Sequence, residues 1–349
     1  MSTKEEQLWQ AATDGDLELV RKLSEDPAVN VEWTDETATR TPFYRACFFG
    51  RLEVVEFLLG DPRVNVNCKQ KEGATPICGA CSEGRTEVVA RLLMDPRIDV
   101  NEPTIGKTSG FYWACTMGRV GIVAMLLADS RVEVNGRADD GATPFFSACE
   151  DGRTAVVSLL LKDPRIDVNL AKSSNSSPLW VVSQNGNLPE AQLILASGRE
   201  IEVGKISNFD QTTALQRARA VAARSKPNSE TEEVFKRKQQ ACPLIADLIT
   251  RFEEDPAAVR AQLAYLPHVR DSFIGPLFAL VVFVADNYAR ARPETPQHAT
   301  RFFGVCSQLP LELQMVLCNR VFASPKDLVL ARDSEPGFRW LATPSTWLS

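Results

Sequence analysis

The sequence repeats itself at a fixed interval. An Asp-x-Arg mark recurs with the same spacing in four places: Asp61-Pro62-Arg63, Asp95-Pro96-Arg97, Asp129-Ser130-Arg131 and Asp163-Pro164-Arg165. A period of about 20 to 50 residues is typical of a solenoid, because each repeat is one small unit that buries its apolar face only against its neighbours. The spacing therefore predicts a stacked array before any single residue is interpreted.

A Gly-Arg pair marks the same register ahead of an apolar stretch. Its four clear copies are Gly50-Arg51, Gly84-Arg85, Gly118-Arg119 and Gly152-Arg153. Weaker copies begin at Gly15 and Gly186. These six copies predict six repeats between residues 5 and 204, at about 5–36, 37–70, 71–104, 105–138, 139–172 and 173–204.

Each repeat is predicted to form two short helices. In the repeat at 71–104, Thr75-Pro76 supplies a hydroxyl cap and a proline suited to the first helical position. Gly84 can end that helix because it turns through positive φ without a Cβ clash. The second helix has an apolar stripe at Val88, Val89, Leu92 and Leu93. Asp95-Pro96 then stops it, since proline disfavours helical geometry in the preceding residue.

The nine cysteines predict neither a metal site nor disulfides. Four of them, Cys47, Cys81, Cys115 and Cys149, recur once per repeat at a position that Ala12 and Ser183 fill in the outer repeats. A position shared by Cys, Ala and Ser is selected for small size, and free cysteine behaves as a small hydrophobe in a core. The Cys78-x-x-Cys81 pair lacks two further ligands, so we expect no metal and no cofactor.

The charge balance and the apolar pattern narrow the class of protein. A net charge of −6 argues against nucleic acid as the main partner. The longest apolar run, residues 273–285, is shorter than the roughly 20 residues that cross a bilayer. The amino terminus lacks the apolar core of a secretory signal. We therefore expect a cytoplasmic protein, with the nucleus also open, that binds neither nucleic acid nor membrane.

Catalytic patterns are scarce. The two histidines, His268 and His298, stand in no metalloprotease or nucleophile-base motif. Gly106-Lys107-Thr108 resembles the end of a phosphate-binding loop, but Asn101 stands where that motif requires its first glycine. The sequence therefore predicts a protein that is not an enzyme.

The repeats resemble those of the ankyrin repeat family. The family's Thr-Pro-Leu-His start is matched by Thr41-Pro42-Phe43-Tyr44, Thr75-Pro76-Ile77-Cys78, Thr143-Pro144-Phe145-Phe146 and Ser177-Pro178-Leu179-Trp180. Its Asp-Val-Asn ending is matched at Asp99-Val100-Asn101 and Asp167-Val168-Asn169. The resemblance implies an all-α, ankyrin-type helical solenoid with short hairpin loops that binds a partner protein on its concave face.

Two departures from the family pattern matter. No repeat keeps the family's histidine, whose ring usually ties a helix start to the neighbouring hairpin. The residues that replace it are Tyr44, Cys78, Tyr112, Phe146 and Trp180. Gly110 replaces the proline in the repeat at 105–138, so we expect that first helix to be less well set.

The array implies where a partner would bind, because its first helices line the concave face. Exposed aromatic residues and arginine on such a face are typical of an interaction site. The predicted site residues are Arg45, Phe48, Phe49, Trp113, Met117, Glu150, Asp151 and Trp180. For Tyr44, Tyr112, Phe146 and Trp180, packing between repeats is the alternative.

The repeat pattern decays after residue 204. Residues 205–255 are predicted to be a degenerate repeat or capping helices, with one helix near 211–218 and another at 243–254. Residues 256–342 are predicted to form a small all-α carboxy-terminal module. One segment there is similar to an F-box, a motif that docks on the Skp1 adaptor of ubiquitin ligases; its candidate docking residues are Leu309, Pro310, Leu313, Leu328 and Trp340. Ankyrin arrays with such a carboxy-terminal segment resemble those of poxvirus proteins, and the resemblance implies an alternative function as a substrate adaptor that recruits a ubiquitin ligase. The alternative is a helical bundle that caps the array.

Overall fold

A computed structural model describes residues 2–269 of the chain. Contacts divide the chain into two units. The first holds the residues up to Leu195 together with Arg199–Asp255, and the described part of the second holds 196–198 and 256–269. Within residues 2–269 the secondary structure is helices and turns without strands, which confirms the all-α prediction.

The described helices follow one another in pairs. The pairs are α1 (Lys4–Asp14) and α2 (Leu17–Ser24), α3 (Pro42–Phe49) and α4 (Leu52–Leu59), α5 (Pro76–Glu83) and α6 (Thr86–Leu93), α7 (Gly110–Thr116) and α8 (Val120–Ala128), α9 (Pro144–Glu150) and α10 (Thr154–Leu160), α11 (Pro178–Asn185) and α12 (Leu188–Ala196), and α13 (Ala214–Ala223) and α14 (Glu232–Glu254). A separate helix, α15 (Pro256–Leu263), lies in the second unit.

Each first helix packs on the first helix of the next pair, from α1 through α13. We call these helices the first-helix row. The second helices α2, α4, α6, α8 and α10 pack on one another in the same order. Helices as short as these are only marginally stable in isolation, because the free-energy cost of nucleating a helix exceeds the gain from about two turns of hydrogen bonds. Contacts between neighbouring pairs therefore hold the helices in place.

Hydroxyl caps begin most of the first helices as predicted, but the Thr75 side chain accepts no capping hydrogen bond at the start of α5. The side chains of Thr41, Ser109, Thr143 and Ser177 each accept a hydrogen bond from the backbone N–H three residues later. Gly110 does not prevent helix α7 from forming in register. A Cβ built on Gly110 would lie 3.2 Å from Cys81 Sγ, so close packing on α5 explains the glycine.

The Gly-Arg pairs form a ladder across the array. Gly50 has a φ of 74°, and a Cβ built on it would lie 2.8 Å from Cδ of Arg85 in the next pair. Arg85 Nε donates to the carbonyl oxygen of Phe48 at 2.9 Å. The same bond recurs from Arg51 to Thr13, from Arg119 to Ser82 and from Arg153 to Thr116. Glycine thus leaves room for the arginine of its neighbour.

The Asp-x-Arg marks form a second ladder. Arg97 Nη2 donates to the carbonyl oxygen of Leu59, at the end of α4, at 2.7 Å. Asp95 holds that guanidinium through Nε at 3.0 Å and Nη2 at 2.7 Å. The last carbonyls of a helix have no partner within it, so the arginine satisfies one of them. Equivalent bonds join Arg63 to Ser24, Arg131 to Leu93 and Arg165 to Leu127.

The asparagine that ends each repeat forms a third ladder. Asn67 Nδ2 donates to the carbonyl oxygen of Arg97 at 2.7 Å, and its Oδ1 accepts from the N–H of Asp99 at 2.9 Å. Asn101, Asn135 and Asn169 repeat this pair of bonds. One amide therefore fixes the register of two successive repeats.

The cysteine prediction is confirmed for burial. Cys47, Cys81, Cys115 and Cys149 are each 0% exposed. Burial raises the pKa of all four thiols well above their usual range, since the interior disfavours a thiolate. The described cysteines are free, and residues 2–269 contain no cluster of His, Cys, Asp and Glu suited to a metal ion.

The seventh pair closes the first unit. Helix α13 packs on α11, and α14 packs on both. Lys238 Cα lies 3.2 Å from a Cβ built on Gly186, so α14 covers the glycine that in earlier repeats faces an arginine. None of the described helices is long and apolar enough to span a bilayer.

The predicted start of the last helix was wrong. Helix α14 begins at Glu232 rather than at residue 243, and Pro243 lies inside it. Thr231 caps the helix by accepting from the N–H of Val234, and Glu232 and Glu233 favour its first turn. The prediction took Pro243 as the first residue of the helix, whereas the capping residue is Thr231, which precedes Pro243 in the sequence.

Substitution of Gly84 tests the arginine ladder. We expect Gly84→Val to lower the free energy of unfolding by about 1–3 kcal/mol, since its φ of 76° strains a side chain and Arg119 lies 3.0 Å from the added Cβ. Gly121→Val is the matched control, because nothing lies within 4 Å of its Cβ. Equal losses for both variants in chemical denaturation would contradict the ladder.

Two core substitutions compare the effect of losing buried side-chain volume with the effect of losing a cysteine sulfur. Leu92 is 0% exposed, and Leu92→Ala should lower the free energy of unfolding by about 2–5 kcal/mol through loss of buried methyl groups. Cys115→Ala should cost far less, because the position requires small size. Urea denaturation measures both, and a large loss for Cys115→Ala would show that the sulfur itself matters.

The Asp-x-Arg ladder predicts an acid dependence. The hydrogen bonds from Arg97 lower the pKa of Asp95, so the ionised carboxylate stabilises the fold above the unfolded pKa of about 4 and this contribution is lost as pH falls through the folded value. Asp95→Asn should therefore lose less stability than the parent between about pH 5 and pH 2. Because the Arg97 side chain is 46% exposed, the effect at pH 7 is limited to about 1 kcal/mol or less. Glu87→Gln is the control with the same change in charge, because Glu87 forms no ion pair among the described residues, and its stability should be measured over the same pH range by chemical denaturation.

Candidate functional site

The first-helix row carries most of the predicted site residues at its partly exposed positions. Phe48 and Phe49 end α3 and are half-buried, as is Trp113 in α7. Met117 is 38% exposed just after α7. Glu150 is half-buried at the end of α9, and Asp151 is exposed beside it.

Arg45 lies between two aromatic rings. Its guanidinium carbon is 4.2 Å from the ring centroid of Trp9 and 4.4 Å from that of Phe49. Its Nε donates to Thr13 Oγ1 at 3.0 Å. Burial lowers the pKa of this guanidinium. Arg45 and Phe49 therefore connect α3 to α1, and sequence reasoning missed Trp9, whose only signal is its alignment with Tyr44 one repeat later.

Phe48 belongs to a different group of side chains. Its ring centroid is 6.1 Å from that of Tyr44, and Arg40 lies 5.8 Å over its ring. Phe48, Arg40, Ile105 and Trp113 line a cleft of about 520 Å³ between α3, α5, α7 and their hairpins. We call this space the Phe48–Trp113 cleft.

The cleft exists because one first helix carries small residues between two that carry large ones. Gly79 occupies the position that Arg45 and Trp113 occupy in the flanking pairs, one repeat away on each side. Ser82 likewise stands at the position of Phe48. A Cβ built on Gly79 would already lie 3.1 Å from Tyr44 Oη and 3.3 Å from Phe48 Cδ2. The floor of the cleft is therefore backbone and small side chains.

Trp113 is held in a fixed orientation. Its Nε1 donates to Thr108 Oγ1 at 3.0 Å, and its ring meets that of Tyr112 edge-on at 6.1 Å between centroids. The indole donor is thus satisfied internally, and the ring remains half-buried beside the cleft. A preorganised aromatic wall loses little side-chain entropy when a partner binds.

A lysine forms ion pairs at the acidic end of the predicted binding surface, near Glu150 and Asp151. Lys172 Nζ lies 2.9 Å from Asp140 Oδ2 and 3.4 Å from Glu150 Oε2. The same ammonium lies 4.9 Å over the ring of Phe146. Glu150 is therefore partly neutralised, and Asp151 is the exposed carboxylate of the pair.

Trp180 lies in the packing between repeats. It is 4% exposed, and its Nε1 donates to Thr212 Oγ1 at 3.0 Å in the next hairpin. Trp9, at the equivalent position, donates to the carbonyl oxygen of Arg40 at 2.8 Å. Each acceptor precedes the capping residue of the next first helix, Thr41 or Thr213. These two indoles make the helix-to-hairpin tie expected of the missing histidine.

The other residues at the histidine position also pack inward. Tyr44 is 3% exposed and Phe146 is 1% exposed, while Tyr112 is half-buried. Burial raises the pKa of Tyr44 to about 12. The packing alternative therefore describes Tyr44, Phe146 and Trp180.

The candidate adaptor-docking residues lie outside the described residues. These are Leu309, Pro310, Leu313, Leu328 and Trp340. The predicted module at 256–342 is described only as far as residue 269, where it begins with α15. Its extent and the boundaries of the predicted repeats stay predictions.

Comparison with known proteins supports the repeat assignment. A sequence model described as "Ankyrin repeats (3 copies)" matches residues 8–104 and, in a second placement, 49–138. The ankyrin repeat domain of human ASB11 is similar in structure, with a TM-score of 0.52 and 23% identity, over 66% of this chain and 96% of that one. No curated protein sequence matches significantly. Residues 8–138 match ankyrin repeats in sequence, and the stacked helix pairs have the ankyrin-repeat fold.

Proposed function

We propose that this chain is a non-enzymatic scaffold that binds a partner protein on the first-helix row, the predicted concave face of the array. Ankyrin repeats are generally protein–protein interaction modules and typically lack catalysis. The observation that carries the proposal is the set of partly exposed, apolar side chains on neighbouring repeats: Phe48, Phe49, Trp113 and Met117.

Physical reasoning favours this face over the second helices. Aromatic residues, methionine and arginine are enriched at the centre of protein interfaces, where burial removes them from water. Phe48 and Trp113 flank a cleft of about 520 Å³, which gives a partner side chain a place to insert. The exposed apolar residues of the second-helix side, such as Met94 and Val120, lie outside this cleft.

The adaptor hypothesis is separate from this proposal. Recruitment of a ubiquitin ligase through Skp1 would use residues 309–341, which lie beyond the described part of the chain. The matched family model ends at residue 138 and gives that role no support. A cytoplasmic location stays a prediction of the sequence.

A double substitution tests the binding face. Phe48→Ala with Trp113→Ala should reduce the capture of partner proteins at least about tenfold in quantitative affinity purification, since aromatic anchors contribute about 2 kcal/mol or more each. The matched control is Met94→Ala with Val120→Ala, which removes two side chains that are 76% and 41% exposed.

Both double variants need the same folding check. Their circular dichroism spectra should match that of the parent and their unfolding should stay cooperative, with a lower midpoint for Phe48→Ala, Trp113→Ala because those half-buried rings pack on Tyr44 and Tyr112. Unchanged partner capture by a folded Phe48→Ala, Trp113→Ala variant would refute the proposed face.

A further inference from the structure

We infer that the Phe48–Trp113 cleft binds a short acidic segment of the partner protein, in which a carboxylate side chain pairs with Arg40 and a nearby apolar side chain inserts between Phe48 and Trp113. This inference rests on the proposed function and names the chemistry of the partner. It follows from the shape of the cleft and from Arg40, which lines the cleft and forms no ion pair among the described residues.

The cleft is large enough for part of a peptide. Its volume of about 520 Å³ lies within the range of about 300–1,000 Å³ typical of ligand sites. Its lining comes from three successive repeats, so the space is longer along the array than one side chain requires. Phe48 and Trp113 are its aromatic walls, and Gly79 and Ser82 are on its floor. Apolar side chains gain free energy by leaving water in such a slot.

Arg40 is fixed by its backbone, and its guanidinium lies 5.8 Å from the ring centroid of Phe48 but forms no ion pair among the described residues. Its N–H donates to Asp35 Oδ1 at 2.7 Å, and its carbonyl accepts from Trp9 Nε1 at 2.8 Å. Its Nε is buried without a hydrogen-bond partner, and the guanidinium makes no ion pair within the described residues. A covered donor without a partner is costly, so a ligand that supplies an acceptor there gains a strong bond.

The neighbouring charges do not satisfy Arg40. Asp35 also accepts from the Thr37 hydroxyl at 2.5 Å and from the Ala38 N–H at 2.9 Å, so its carboxylate is occupied within its own turn. Glu72 is exposed and lines the cleft but forms no ion pair with Arg40. Neither carboxylate therefore pairs with Arg40, and a carboxylate of the partner can form the bidentate pair that suits the planar guanidinium.

The charges also set the direction of the bound segment. Arg40 and Phe48 lie on one side of the cleft, from the α3 repeat, and Trp113 lies on the other, from the α7 repeat. At that far side Lys107 is paired with Asp139, with their charged atoms 3.2 Å apart. The carboxylate therefore belongs at the Arg40 end, and the apolar side chain points toward Trp113.

Peptide selection with the full chain tests this chemistry. A random dodecapeptide phage-display library is selected on the intact protein, and enriched sequences are synthesised and measured by fluorescence anisotropy. We expect enriched peptides to carry Asp or Glu close in sequence to an aliphatic or aromatic residue. Replacing that Asp or Glu by its amide in the peptide should weaken binding at least about tenfold, because the bidentate pair is lost.

Matched protein variants locate the bound peptide. Arg40→Gln and, independently, Trp113→Ala should each weaken binding at least about tenfold. Arg91→Gln is the control, since that arginine lies on α6 outside the cleft, and it should change binding less than about twofold. Glu72→Gln should leave binding equal or tighter. Ser82→Phe, which fills the floor, should abolish binding while thermal unfolding stays near that of the parent.

Each alternative outcome overturns the inference. No enrichment would exclude a cleft that recognises a short segment, and amide peptides that bind as well as acidic ones would exclude the carboxylate pairing. A phosphoserine peptide that binds tenfold more tightly than its glutamate analogue would assign the site to phosphorylated partners instead. If the Phe48→Ala, Trp113→Ala variant loses protein capture while no peptide is enriched, the proposed function stands and only this inference fails.

Discussion

The structure depends on bonds that cross from one repeat to the next. No helix pair can bury its apolar side alone, and three polar ladders fix how successive pairs meet: Arg85 on Phe48, Arg97 on Leu59 and Asn67 on Arg97. In every ladder a side chain donates to a backbone carbonyl across the boundary, and in the asparagine ladder Oδ1 also accepts from a backbone N–H. Because any residue supplies a carbonyl, the ladders hold register without restricting the neighbour's side chain. The exposed side chains can therefore vary from repeat to repeat without disturbing how the repeats stack.

This freedom to vary explains why the candidate site lies where the repeat breaks its own pattern. Residues 45, 79, 113, 147 and 181 are equivalent, yet they are Arg, Gly, Trp, Ser and Val. The buried position two residues further on stays Cys or Ser throughout these repeats. A cleft therefore appears where Gly79 falls between larger neighbours. In a periodic array, specificity comes from the aperiodic residues, and the period supplies their spacing.

Signals within single repeats made the architecture predictable from the sequence. The side-chain contacts between repeats could not be predicted in this way. Hydroxyl caps, positive-φ glycines and small buried cysteines act within one unit, and the structure confirms them except for the capping bond predicted at Thr75. The tie made by Trp9 and Trp180, the stacking of Arg45 and the unpaired guanidinium of Arg40 depend on how one repeat faces the next. Pro243 led to a wrong prediction of where α14 begins. Proline has no backbone N–H to donate within a helix, but α14 is 23 residues long and tolerates the loss of that one hydrogen bond.

Because the Phe48–Trp113 cleft is lined by three successive repeats, a ligand that occupied it would also affect the stability of the array. Its walls come from the α3 and α7 repeats, and its floor comes from α5 between them, so a partner that fills it must contact all three. A ligand that binds only the folded state stabilises it in proportion to its saturation. Arg85 and Arg119 hold these repeats together through the carbonyls of Phe48 and Ser82, two residues of the cleft itself. The ladder that fixes the register of the array therefore also joins the repeats that line the cleft, although neither arginine lines it.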